Sequence, residues 1–203
     1  MSITQVTVFG GSGFVGSAIV RALAQQGYLV RVASRRVGLA EPVKTTGDVG
    51  QVMLMQANLR NPASVARAVA GSQAVVNAAG ISVPRGRQSY QAVHADGART
   101  IAEAARAAGA QRLVHISGIG ADNRSSRNAF VRSKVEGESA IVAGFPAATI
   151  LRPSVVFGPD DKFFNRLAQA ALRQRPHDGA ADKAAAAKNS DLLNVHHRGA
   201  YRP

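Results

Sequence analysis

Residues 3–16 read ITQVTVFGGSGFVG, and this stretch decides the fold. A β-branched apolar run over residues 3–9 leads into Gly10, Gly11, Ser12, Gly13, Phe14, Val15 and Gly16, a G-x-x-G-x-x-G spacing. Phe14, Val15, Ala18, Ile19, Ala22 and Leu23 follow at helical spacing, and Gly27 stands where that helix would close. Glycine at these places permits a tight turn, lets a pyrophosphate approach the backbone and lets the helix pack close to the strand. The helix N-terminus offers free N–H groups and the positive end of its dipole. Glycine triplets alone are weak evidence, because a tight strand-to-helix turn needs them too. Here the strand before, the helix after and a second strand over residues 28–33 supply the β-α-β context that the motif requires.

Outward from this turn the alternation continues. Residues 52–56, 74–78, 112–117 and 148–151 read as strands. Asn61 and Pro62 cap and open a helix running to about residue 70, residues 90–108 form an Ala-rich helix closed near Gly109, and residues 130–142 form another. Strands joined by helical crossovers predict an α/β fold, a Rossmann-type doubly wound parallel sheet, with a single domain over residues 1–168. After about residue 172 the composition shifts to an Ala-rich, Lys- and Asp-dotted sequence. Residues 169–203 are therefore expected to be an irregular basic tail, disordered or at most loosely helical around residues 184–187. A truncation or a reading-frame shift would produce such a change.

The chain has 203 residues, 46% hydrophobic and 18% charged, which suits one core. The absence of Cys removes disulfides, thiolate zinc sites and cysteine nucleophiles, and no other metal-ligand cluster is visible. The N-terminus has neither the charged and apolar regions of a signal peptide nor an Arg-rich presequence, so the expected location is cytoplasmic, or peripheral on the inner membrane. Apolar runs such as residues 74–83, broken by Asn77 and Gly80, fall short of the roughly 20 residues a spanning helix needs. The net charge of +13 suits polyanions, but 20 of the 25 cations are arginines spread along the chain in no long run. That pattern disfavours nucleic acid and leaves a nucleotide cofactor or an anionic membrane surface as partners.

The end of the second strand should choose the cofactor. NAD sites place Asp or Glu there for the ribose 2′-OH, whereas this chain has Ser34, Arg35 and Arg36, which favours a 2′-phosphate and hence NADP(H), with NAD(H) the alternative. The competing reading is two arginines on an exposed loop. Asn58 and Leu59 follow the third strand, where an adenine amine is often received, and Ala78, Ala79 and Gly80 line the loop after the fourth.

VTVFGGSGFVG, NAAG at residues 77–80, RLVHIS at 112–117, Ser133–Lys134 and RPSVVFGP at 152–159 resemble the extended and atypical short-chain dehydrogenase/reductase superfamily, of NAD-dependent epimerase/dehydratase type. VRVASRR, ADGARTIAEAARAAGA and ILRPSVVFGPDDKFFNR are most similar to the branch holding the nucleotide-binding accessory subunit of respiratory complex I and its bacterial relatives. The resemblance covers residues 3–168. It implies a smaller second lobe that the rest of this chain does not match.

In enzymes of that superfamily a Tyr-x-x-x-Lys pair carries the chemistry: Tyr exchanges the proton, and Lys, on the same helix face, lowers its pKa and holds the nicotinamide ribose. Here the pair reads Phe130 and Lys134. Lys134 retains the ribose role by resemblance, or is an exposed lysine facing Glu138 at i+4. The active-site hydroxyl residue aligns at or beside Gly118, one place after Ser117, and the Asn before the helix's D-G pair is His94. Pro153 and its neighbours would pass the nicotinamide carboxamide. These departures predict an NADP(H)-binding protein without the family's reaction, associated with a membrane respiratory complex. Two alternatives are an NADPH-dependent quinone or carbonyl reductase using Tyr90 or His94, and a binding module that senses the NADP/NADPH ratio.

Overall fold

The computed structural model describes residues 4–161 and 163–173. Its first compact unit runs to Val156 and a second begins at Phe157. The strands are β1 (Gln5–Phe9), β2 (Leu29–Ser34), β3 (Val52–Gln56), β4 (Ala74–Asn77), β5 (Arg112–Ile116) and β6 (Thr149–Leu151). All pair in parallel in the order β3-β2-β1-β4-β5-β6. This is the doubly wound arrangement expected from the β-α-β repeat, and its order reverses between β1 and β4.

The helices are α1 (Phe14–Gln25), α2 (Glu41–Lys44), α3 (Pro62–Val69), α4 (Asp96–Ala107), α5 (Ala129–Gly144) and α6 (Phe164–Arg173). One side of the sheet packs Val6, Val8, Val30, Val32 and Val52 with Val20 of α1 and Val43 of α2. The other packs Phe9, Val75 and Leu113 against Val65, Ile101, Ile141 and Phe145. Alternate residues of each strand thus serve opposite cores, and burial of both faces explains the continuous apolar runs. Thr7, the polar residue of the buried β1, donates to the Ala68 carbonyl at 2.9 Å and pairs with Ser72 at 2.7 Å.

Boundaries differ from the sequence reading in instructive places. A short 3₁₀ turn (Val37–Ala40) and α2 follow β2, where no periodic signal is long enough to read. The expected helix over 90–108 opens as a π-helical turn (Gln91–Ala95) before α4 begins. In the second unit α6 runs through residue 168, where the sequence reading ends the domain, and the loose helix expected around 184–187 lies outside the described residues. Among the described residues no helix is long and apolar enough to cross a membrane.

Candidate functional site

The glycine turn lies at the β1 side of the switch point. Gly10 has φ +78°, and a Cβ there would stand 2.6 Å from the Ala78 carbonyl oxygen, so the turn and the β4 loop touch backbone to backbone. A Cβ on Gly16 would strike the carbonyl oxygen of Gly10, and one on Gly11 would meet Val32 at 2.9 Å. The Gly13 N–H donates to Gly10 O at 3.0 Å, and Gly13 then opens α1 with no side-chain cap. By contrast α3 is capped by Asn61 and α5 by Asn128, through side-chain oxygens. Phe14, Val15 and Gly16 therefore start α1 with amides that no side chain covers among the described residues.

The residues at the ends of β2 and β3 come together. Ala57 N–H donates to Ser34 O at 3.0 Å, and Ser34 Oγ bonds the backbone of Arg36. Burial, with the nearby cations of Arg36 and Arg60, lowers the Arg35 pKa. Arg60 thus joins the two arginines singled out in the sequence. Its contribution depends on the β2–β3 register, which no local spacing reveals. Asn58 Oδ1 accepts the Arg60 N–H at 3.1 Å, and Asn77 Oδ1 accepts the Ala79 N–H at 3.1 Å, fixing the loops that carry Leu59, Ala78 and Gly80.

Across the switch point, α5 delivers Phe130 and Lys134 on one face. Gly137 and Gly144 let α5 press onto the π-helical turn and α4, since a Cβ on Gly137 would strike the His94 carbonyl and one on Gly144 would lie 2.7 Å from Ala102 Cβ. Lys134 is buried, not an exposed helix lysine, and forms no ion pair with Glu138. Its ammonium lies 5.9 Å from the Phe130 ring centroid and near Gly80. Burial lowers its pKa, against the opposing pull of Glu138.

His94 is fully buried on the π-helical turn, a local widening of the helix often found at functional sites. Ser133 Oγ donates its one proton to Phe130 O at 2.7 Å, so at 2.9 Å it must accept from His94 Nδ1–H. His94 Nε2 accepts the Ile81 N–H at 3.0 Å. This network assigns the neutral Nδ1–H tautomer, and burial, with Lys134 and His115 nearby, pushes the pKa down to about 4. Tyr90 stacks on His94 with ring centroids 5.5 Å apart and donates its hydroxyl to the Ser82 carbonyl at 2.7 Å. Phe130 meets both rings edge-on at 5.4 Å. The hydroxyl of Tyr90 and the lone pair of His94 are therefore both engaged by backbone.

Among the described residues, Ser117 is buried and its Oγ has no hydrogen-bond partner, while a Cβ on Gly118 would meet nothing within 4 Å. The Pro153 carbonyl accepts the Ile119 N–H at 3.0 Å, tying the β6 and β5 loops together. Arg152, just after β6, grips Glu138 with Nε at 2.9 Å and Nη2 at 2.6 Å. Burial alone would raise Glu138; the hydrogen bonds from Arg152, with the charge of its guanidinium, hold it below the usual carboxylate range.

The model of the NAD dependent epimerase/dehydratase family matches residues 6–184, past residue 168, where the resemblance ends. The chain is 37% identical over 162 residues to the mitochondrial NADH-ubiquinone oxidoreductase 40 kDa subunit of Neurospora crassa, covering 80% of this chain and 43% of that protein. It is 38% identical over 168 residues to the ceramide reductase of Caulobacter vibrioides, covering 83% and 51%. The chain thus spans about half the length of these relatives. A solved structure, UDP-glucuronic acid 4-epimerase from Bacillus cereus in complex with NAD, shares the fold with a TM-score of 0.71 at 19% identity, covering 85% of this chain and 65% of that one.

Proposed function

Starting from the fact that this chain belongs to the NAD dependent epimerase/dehydratase family, we propose that it binds NADP(H) and does not perform the family's proton-coupled reaction. The observation that carries the nucleotide reading is the Gly10–Gly16 turn, closed against Ala78 and opening an α1 end that no side chain caps. The donor set fits the ligand. Free amides at α1 suit a pyrophosphate, Arg35, Arg36 and Arg60 suit a 2′-phosphate, and Lys134, whose N–H groups engage no described residue, suits ribose hydroxyls. When bound, the nucleotide supplies a hydride donor or acceptor.

Three of the positions that face Lys134 or the family's proton-exchange site offer no free proton exchange. Phe130 has no exchangeable proton, and the Tyr90 hydroxyl and the His94 lone pair are spent on backbone groups. The subunit relative supports a role as an accessory component of a membrane respiratory complex, and the +13 charge supports peripheral contact with an anionic surface. A second reading, an active NADPH-dependent reductase, is favoured by the 38% identity to a ceramide reductase. The two part on turnover. With NADPH and a quinone or carbonyl acceptor the purified chain is expected to oxidise nucleotide no faster than the acceptor does unaided. Sustained oxidation, lost on Tyr90→Phe or His94→Asn, would establish the reductase reading instead.

A further inference from the structure

Lys134 is a buried cation that makes neither of the two ion pairs among the described residues, which join Arg99 to Asp96 and Arg152 to Glu138. A buried ammonium without a counter-charge loses its proton or moves. The groups that face it can be taken element by element. From α5 come the Phe130 ring and Glu138, the latter one turn further along the same face. From β5 comes His115, and from the π-helical turn comes His94. Both imidazoles are neutral, held there first by burial and then by Lys134 itself. Neither ring nitrogen of His115 has a hydrogen-bond partner among the described residues, so it does not bridge the two charges. Glu138 is thus the one negative group acting on Lys134 among these neighbours.

Glu138 is not free to close the gap. Both of its oxygens are held by Arg152, which arrives from the end of β6 rather than from α5. A carboxylate in a two-pronged guanidinium grip keeps a fixed orientation. We propose that Glu138, pinned by Arg152, is the counter-ion that keeps Lys134 charged while leaving its N–H groups uncommitted for the ribose hydroxyls of a bound nucleotide. Arg152 and Glu138 are then positioning residues, and Lys134 the group that touches ligand. Only the ribose clause rests on the nucleotide reading above. The counter-ion arrangement itself does not need it.

The two partners of the pair must move Lys134 in opposite directions, which a merely structural role would not do. The chain has only five lysines, so the Lys134 side chain can be followed by NMR in the full-length protein labelled with ¹³C-lysine and assigned with Lys134→Arg. Glu138→Gln removes the counter-charge and should lower the Lys134 titration midpoint by about one pH unit or more. Its NADPH affinity should then fall as the pH rises through that lower midpoint. Arg152→Gln frees the carboxylate to swing onto Lys134 and should raise the midpoint, yet weaken NADPH several-fold, because the N–H groups become committed. A midpoint that ignores Glu138→Gln, or that falls in Arg152→Gln, overturns the proposal. If either glutamine variant fails to fold, Glu138→Asp must lower the midpoint and Arg152→Lys must raise it, and the opposite signs refute the proposal equally. Titrations that shift as stated in a chain that binds no nucleotide would uphold the counter-ion arrangement and bring down the nucleotide reading alone.

Discussion

At the scale of single residues, the glycine turn has the least freedom to change. Gly10 combines a left-handed φ of +78° with a Cβ position only 2.6 Å from the Ala78 carbonyl oxygen. Gly10→Ala should cost about 1–3 kcal/mol from backbone strain alone, with the clash added. For a chain of this size that is a drop of several degrees in Tm, and the accompanying shift of the β4 loop should abolish any nucleotide-dependent rise. A variant that melts lower but still responds fully to nucleotide would separate the turn's structural duty from its proposed binding role. Gly27, by contrast, has φ +83° but open space around it, so Gly27→Ala should cost strain without touching the site.

At the scale of elements, β5 and the π-helical turn bring two neutral imidazoles into the interior. His94 and His115 are each pushed down to about 4, burial being the largest cause and Lys134 the next. In the unfolded chain they take up protons near the ordinary value of 6.5. Between these values the unfolded state binds more protons than the native one. The stability these rings contribute is therefore full above about pH 6.5 and is lost as the pH falls towards 4. Thermal melts across that window should show Tm falling on acidification, and His115→Gln should flatten the fall. A Tm that is level through the window would contradict the buried neutral assignment. These elements also mark the limit of what the sequence makes legible. Residues 3–33 announce the strand, turn and helix because glycine spacing and apolar period are local signals. The π-helical turn is silent, since Gln91–Ala95 continues the helical pattern of α4, and its one hint is Gly137, placed opposite the His94 carbonyl. Glu138 likewise reads as a surface partner of Lys134 at i+4, because its true partner, Arg152, lies 14 residues away at the end of β6.

At the scale of the molecule, six parallel strands with helices on both faces leave the strand order to reverse between β1 and β4. The uncapped start of α1 and the arginines beyond β2 and β3 lie on loops and helix ends that follow the sheet strands, and α5, which comes after β5, adds the buried Lys134. This convergence, rather than the charge of +13, supports nucleotide binding. Phe130 has no exchangeable proton, and the Tyr90 hydroxyl and the His94 lone pair are engaged by backbone, which supports the proposed reading of a chain that holds a nucleotide without turning it over. The most direct test is a thermal melt with NADPH, NADP, NADH and NAD, each at the same millimolar concentration. A ligand present at about 100 times its Kd stabilises by about 2.7 kcal/mol, a shift readily measured. One cooperative transition is expected, rising most with the two 2′-phosphorylated nucleotides, with a preference that disappears in Arg35→Gln/Arg36→Gln. A transition indifferent to all four nucleotides would contradict nucleotide binding.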